Sequence, residues 1–157
     1  MPASQSIHIE RALEADVPAL IELLAELFAI ESDFSADRSK QRRGLELLLS
    51  QPDDRALVMV ARSADRVVGM ASAQLVISTA EGAASAWIED VVVRKDLRGQ
   101  GVARLLLQDL LAWAERHGAT RAQLLADNAN RPALDFYRHI GWQPTQLAAW
   151  RRSLQDL

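Results

Sequence analysis

Apolar residues recur along this chain with two spacings, and the switches between them predict its elements. Ile7 to Arg11 alternates apolar and polar, as a half-buried strand does. Val17, Leu20, Ile21, Leu24, Leu27 and Phe28 then repeat at helical spacing, with Asp16 as cap and Pro18 in the first turn. A polar break from Ile30 to Lys40 precedes a second helix, about Ser39 to Ser50, with Leu45, Leu48 and Leu49 inward. Ala56 to Ser63 and Val67 to Ser78 read as strands joined by a hairpin turn at Ala64-Asp65-Arg66. After a loop around Gly82, Ser85 to Val93 is a further strand. Gly101 to His117 is a long helix ended by Gly118. Ala122 to Ala126 is a buried strand and Pro132 to His139 a short helix closed by Gly141. Trp142 and Leu147 to Arg151 suggest two final strands.

Strand, long helix and strand in succession imply a parallel pair with a right-handed crossover. The hairpin at Asp65 is antiparallel. The expected fold is therefore α/β: a single domain over residues 1–157 with a mixed central sheet and helices on both faces. The expected order is β-α-α-β-β-β-α-β-α-β-β.

Composition narrows the chemistry. With 157 residues, 49% hydrophobic and 25% charged, the chain suits one self-sufficient core. It has no cysteine, which excludes disulfides, thiolate metal sites and a cysteine nucleophile. A net charge of −3 gives no reason to expect nucleic-acid binding. His8, His117 and His139 show no metal-ligand spacing, so no metal is expected. The first ten residues lack the basic and apolar regions of a signal peptide. No apolar run approaches the ~20 residues that cross a bilayer. The expectation is a cytoplasmic protein with no membrane partner.

The stretch Trp87 to Leu107, WIEDVVVRKDLRGQGVARLLL, carries the most chemistry. Val91, Val92 and Val93 form the β-branched end of a covered strand. Gly99 and Gly101 leave the backbone open to close approach. The helix that follows points its unpaired N–H groups and positive dipole end at that loop, which suits a phosphate or pyrophosphate. Glu89 and Asp90 stand one strand-length away. An anion cradle beside carboxylates suggests an enzyme that holds a phosphate-bearing cofactor and manages a proton.

Arg98-Gly99-Gln100-Gly101-Val102-Ala103 fits R/Q-x-x-G-x-G/A and resembles the GCN5-related N-acetyltransferase (GNAT) superfamily. Further on, Asn130 to Tyr137 (NRPALDFY) resembles the family's N-x-x-A-x-x-x-Y element, and Gly141-Trp142 its Gly-aromatic pair. The two motifs and the order of elements span nearly the whole chain. The resemblance implies acetyl-CoA as cosubstrate. It places the pyrophosphate on Arg98, Gly99, Gln100, Gly101, Val102, Ala103 and Arg104. It places the pantetheine and carbonyl on backbone amides of Val91, Val92 and Val93, with Asn130 and Ala133 also on the cofactor side. It makes Tyr137 the general acid, and it allows a homodimer. The wording LAELFAIE, IEDVVV and Ala149-Trp150-Arg151 is similar to the spermidine/spermine and thialysine N-acetyltransferase branch. By that match Glu31 and Trp150 face the acceptor. Ile30 and Ser32 stand where that branch carries aromatics.

Acyl transfer to an amine needs a neutral nucleophile, whereas an alkyl ammonium has a pKa of about 10.4. Glu89 is the candidate base, directly or through water, and a place at the exit of an apolar strand favours a raised pKa. Asp90 is expected on the opposite face of the strand. Tyr137, the only tyrosine, is a neutral-pH proton donor for the leaving thiolate. Each residue has a plainer reading. Glu89 and Asp90 can pair with arginines, Arg98 can be a solvated surface charge, and Tyr137 can be a core aromatic. Glu26, Glu31, Asp33 and Asp37 surround the first interhelical loop and suit a cationic acceptor, or a solvated surface. The expected function is direct acetyl transfer from acetyl-CoA to a small primary amine of diamine or polyamine type. The alternatives are a protein or peptide acceptor, or a domain that senses acyl-CoA without turnover.

Overall fold

The computed structural model describes residues 6–31 and 35–155. Ser32 and Asp33 lie outside the described residues. The elements are β1 (Ile7–Arg11), α1 (Val17–Ile30), α2 (Arg38–Leu49), β2 (Ala56–Ser63), β3 (Arg66–Ser78), β4 (Ala83–Val93), α3 (Val102–Arg116), β5 (Ala119–Leu124) and α4 (Arg131–His139). The chain forms two compact units, one through Leu124 and one from Leu125.

The first unit is a five-stranded sheet in the order β1-β2-β3-β4-β5. Neighbours from β1 to β4 are antiparallel, and β5 joins β4 in parallel through the α3 crossover. This is the expected mixed α/β sheet. Strand β2 is buried on both faces, which is why its sequence ALVMVA is apolar throughout. Val58 and Val60 pack with Leu20, Leu24 and Leu45 of α1 and α2. Leu57 and Met59 face α3 beside Trp113. The Trp113 indole donates to the Asp53 carbonyl at 2.9 Å, so the largest core ring keeps its polar end satisfied.

Asp16 stands at the start of α1 but does not cap it. Its carboxylate turns back to accept from the Leu13 amide at 2.8 Å and from Arg62 Nη1 and Nη2 at 2.9 and 2.7 Å. Arg62 also reaches Glu10. Burial pushes the Asp16 carboxyl up, but the bonds from Arg62 and Leu13 outweigh it and hold the carboxyl below its usual range. The α1 entry is thereby tied to β2 across the sheet. At α2 capping does follow the sequence rule: the Asp37 carboxylate accepts from the Lys40 amide at 3.1 Å.

In the second unit Asn130 caps α4 by accepting from the Ala133 amide at 3.3 Å. Tyr137 lies with its ring centroid 5.2 Å from Phe136 and 6.0 Å from Trp142. The expected order holds as far as α4. The two strands expected at Trp142 and at Leu147 to Arg151 do not form, since residues 142–155 hold no helix or strand. Pro144 has no N–H for a ladder. Leu147 and Trp150 are 83% and 96% exposed, so no buried face rewards pairing. Strand β5 also begins three residues earlier than expected, at Ala119. The Thr120 and Arg121 side chains there are exposed, which hid the strand from an apolar pattern.

Candidate active site

Strand β4 outruns its parallel neighbour. β5 pairs with Ala84 to Ile88, so among the described residues the edge of β4 from Glu89 to Val93 that faces away from β3 has no strand partner. Its backbone groups along that edge are in no ladder with β5. Val92 and Val93 bury their side chains, at 5% and 7% exposure, so what they offer is backbone. The turn after β4 leads to Gly99 and Gly101 with φ of +77° and +84°, values that L side chains rarely adopt. A Cβ at either would meet nothing within 4 Å, so conformation rather than crowding demands glycine there. Gly101 sits at the N-cap of α3 with no side-chain cap. Among the described residues no amide from Gly99 to Ala103 donates to a loop or turn carbonyl, and the first helical turn has none to offer. Val102 anchors the turn by burying its side chain against β3 beside Gly69. Gln100 and Arg104 are exposed, and Ala103 is half-buried.

Arg98 is neither a free surface charge nor a pure phosphate hook. Its Nε donates to the Val93 carbonyl at 3.0 Å, and its Nη2 lies 3.7 Å from Glu26 Oε2 on α1. It ties the loop to the end of β4. This also removes Glu26 from the acidic acceptor group read in the sequence, as capping removes Asp37.

The carboxylates do not sit as expected. Glu89 opposes Ser72, but Val92 opposes Met70, so Asp90 and Val91 share the single β3 residue Ala71. The strand bulges here, and strict alternation of Glu89 and Asp90 fails. Asp90 has φ of +56°, a strained conformation for a residue other than glycine. The Ser72 hydroxyl, on a residue only 2% exposed, donates to the Glu89 carbonyl at 3.1 Å within the bulge. Burial pushes the Asp90 carboxyl up to about 7, and the charges of Glu89 and Glu31 add to the push. Glu89 itself is exposed, with Oε1 accepting from the Trp87 indole at 2.8 Å. Glu31 closes α1, its amide bonded to the Leu27 carbonyl. The structure thus gathers Glu31, Glu89 and Asp90. Tyr137, Asn130, Ala133 and Trp150 belong to the second unit. The bulge and the Ser72 brace were missed in the sequence. Their one trace is a serine at a buried position of an apolar strand.

Among the described residues no set of three or more His, Asp or Glu side chains could hold a metal ion. None of the described helices is long and apolar enough to cross a membrane.

The exposed end of β4 thus runs into a glycine loop at the N-terminus of α3. The chain belongs to the acetyltransferase (GNAT) family, whose sequence profile matches residues 17–142. Streptothricin acetyltransferase of Streptomyces lavendulae is 36% identical over 63 residues, 37% of this chain and 33% of that protein. N-acetyltransferase family 8 member 2 of Rattus norvegicus is 31% identical over 86 residues, 55% of this chain and 38% of that protein. The chain thus spans little more than a third of the length of these curated relatives. An aminoglycoside acetyltransferase structure from an uncultured soil metagenomic sample superposes with a TM-score of 0.75 at 26% identity, covering 94% of this chain and 96% of that one.

Proposed function

We propose that this protein is an acetyl-CoA-dependent N-acetyltransferase that transfers the acetyl group directly to a small cationic primary amine of diamine or polyamine type. The observation that carries the reading is the open edge of β4 ending at the unpaired amides of Gly99 to Ala103. Those amides and the positive end of α3 suit a pyrophosphate, with Gln100 and Arg104 at the rim. The backbone of Val91 to Val93 suits the amide-rich pantetheine and the thioester carbonyl. Acetyl-CoA supplies an activated acyl group. The amine nitrogen forms the new C–N bond and the C–S bond breaks. The Glu89–Asp90 pair relieves the ammonium of its proton, and Tyr137 donates one to the departing thiolate. Asn130 and Ala133 begin the helix that carries Tyr137.

Glu31, Glu89 and Asp90 supply negative charge for a cationic acceptor, and Trp150 an apolar surface for its methylenes. Relatives named for streptothricin and aminoglycoside acetylation support a small-molecule amine. A homodimer is part of the proposal. It is supported by Leu147, Trp150 and Leu154, which are 83%, 96% and 79% exposed within eight residues of chain.

The test is a panel of diamines, polyamines, aminoglycosides and peptides offered with acetyl-CoA, read by thiol release. Turnover of the diamines and polyamines is expected. Turnover of peptides alone would move the acceptor to protein. Binding of acetyl-CoA without turnover of any amine would make the protein a sensor.

A further inference from the structure

We propose that a cavity between α1 and the β2–β3 hairpin binds a small aliphatic zwitterion of α-amino-acid type, with its ammonium on Glu26 and its carboxylate on Arg66 and Arg94. Every residue that lines the cavity belongs to the first unit. None of the groups assigned to acyl transfer is among them.

The cavity measures about 370 Å³, within the range of small-molecule sites. Its first wall is α1, where Ala19, Glu22 and Glu26 follow one another at helical spacing and so share a face. Its second wall is the sheet, where Arg66 opens β3 and Arg94 follows the end of β4. Leu23 and Val67 add apolar surface.

Some charges at the cavity are already bonded to one another. Asp16 accepts from Arg62 at 2.9 and 2.7 Å, and Glu22 accepts from Arg38. Three others are not satisfied in this way. Glu26 Oε2 is buried and accepts no hydrogen bond, with Arg98 Nη2 at 3.7 Å. Arg94 Nε is buried and donates none, with Asp96 Oδ1 at 3.5 Å. Those separations bring charge near charge but are too long for hydrogen bonds. Among the described residues the Arg66 guanidinium makes neither a hydrogen bond nor an ion pair. A buried polar atom without a hydrogen bond costs free energy, and a bond to a ligand recovers it. Turning the Glu26 or Arg94 side chain onto a ligand gives up no hydrogen bond.

The unsatisfied groups have both signs, and this selects the ligand. An anion alone would leave Glu26 without a donor and would meet the carboxylates of Glu22 and Asp65. A cation alone would leave two guanidinium groups without an acceptor. A molecule that carries an ammonium and a carboxylate satisfies both. The guanidinium fork takes a carboxylate through parallel N–H bonds. The ammonium brings three donors to a carboxylate that accepts none. Leu23 and Val67 suit an aliphatic side chain on the same molecule.

Equilibrium dialysis with radiolabelled L-leucine at neutral pH tests the site. Leucine should bind at millimolar concentration or below. As competitors, 4-methylpentanoate lacks the ammonium and 3-methylbutylamine lacks the carboxylate. Each should bind weaker than leucine by roughly tenfold or more. Glu26→Gln, Arg66→Gln and Arg94→Gln should each weaken leucine by roughly tenfold or more. All three should melt close to wild type, because none removes a hydrogen bond, and this keeps a lost site apart from a lost fold. Saturating acetyl-CoA should not displace leucine, and leucine should be recovered unacetylated. Leucine that stays unbound at millimolar concentration overturns the proposal, as does equal binding of either truncated competitor. Folded variants that bind leucine like wild type overturn the assignment to those residues. Displacement by acetyl-CoA would put leucine on the cofactor's ground, and acetylated leucine would put it at the acceptor site. Either result overturns a separate site and leaves the acetyltransferase reading standing.

Discussion

A carboxylate on a strand can be assigned a face only if the strand alternates, and at Glu89 and Asp90 it does not. The identities of both residues, and their nearness to the glycine loop, were legible in the sequence. Their orientation was not, because a bulge leaves no mark on an apolar period of two. Arg98 was legible as a charged loop residue, but its bond to the Val93 carbonyl is a tertiary contact that spacing cannot reveal. Tyr137 was found by motif alone. Replacing it with Phe keeps the ring in its cluster with Phe136 and Trp142 and deletes the phenol proposed as proton donor. Tyr137→Phe should therefore lower kcat by ~10²- to 10⁴-fold with little change in acetyl-CoA affinity. Single-turnover kinetics at the wild-type rate would remove it as the acid. Arg62 tests structure rather than chemistry. Arg62→Ala leaves the Asp16 carboxylate, on a residue 8% exposed, without its bidentate partner, and should cost roughly 3 kcal/mol. The folded carboxyl of Asp16 lies below its unfolded value, so this stability is present above about pH 4 and is lost as pH falls through the folded value. Urea melts at pH 7 and pH 3 should show the difference between wild type and Arg62→Ala shrinking at the lower pH.

Elements came out of the sequence where burial is one-sided and periodic. β1 and β2 match their expected bounds, and α1, α2 and α3 match within a residue or two. Where other forces decide, the pattern falls short. β5 starts in polar residues because parallel pairing with β4, not burial, makes it a strand. The stretch from Leu147 to Arg151 looked like a strand from composition, yet a strand needs a partner ladder as well as apolar residues. The element that bears most on function is α3, whose first turn carries free amides. Gly101→Asp adds a carboxylate at that end and a side chain at φ of +84°. A Cβ there meets open space, so the cost to folding is backbone strain of order 1–3 kcal/mol rather than a clash. The same carboxylate would repel the pyrophosphate proposed for this loop. Calorimetry on the folded variant should find acetyl-CoA affinity reduced at least tenfold. An unchanged affinity would move the cofactor elsewhere.

At the scale of the whole molecule, the sequence located the family and the sheet but not the surroundings of the last residues. Residues 147–154 hold two leucines and a tryptophan almost fully in contact with solvent. A monomer gains nothing from keeping such a cluster wet, whereas covering it against a second copy removes apolar surface from water at about 25 cal/mol per Å². The proposed homodimer therefore has a specific signature. Light scattering should return about twice the chain mass of 17.4 kDa for wild type. Leu147→Ser with Trp150→Ser should halve it without lowering helix content, because neither residue lies in a helix or strand. Trp150 also reports on its own environment. In a single chain at 96% exposure its emission is that of a solvated indole, and in the dimer it should shift to shorter wavelength. The difference spectrum between wild type and Trp150→Phe, followed across a dilution series, isolates that indole from the other three. A wild-type protein that scatters as a monomer, with Trp150 emission unmoved by concentration, would remove the dimer.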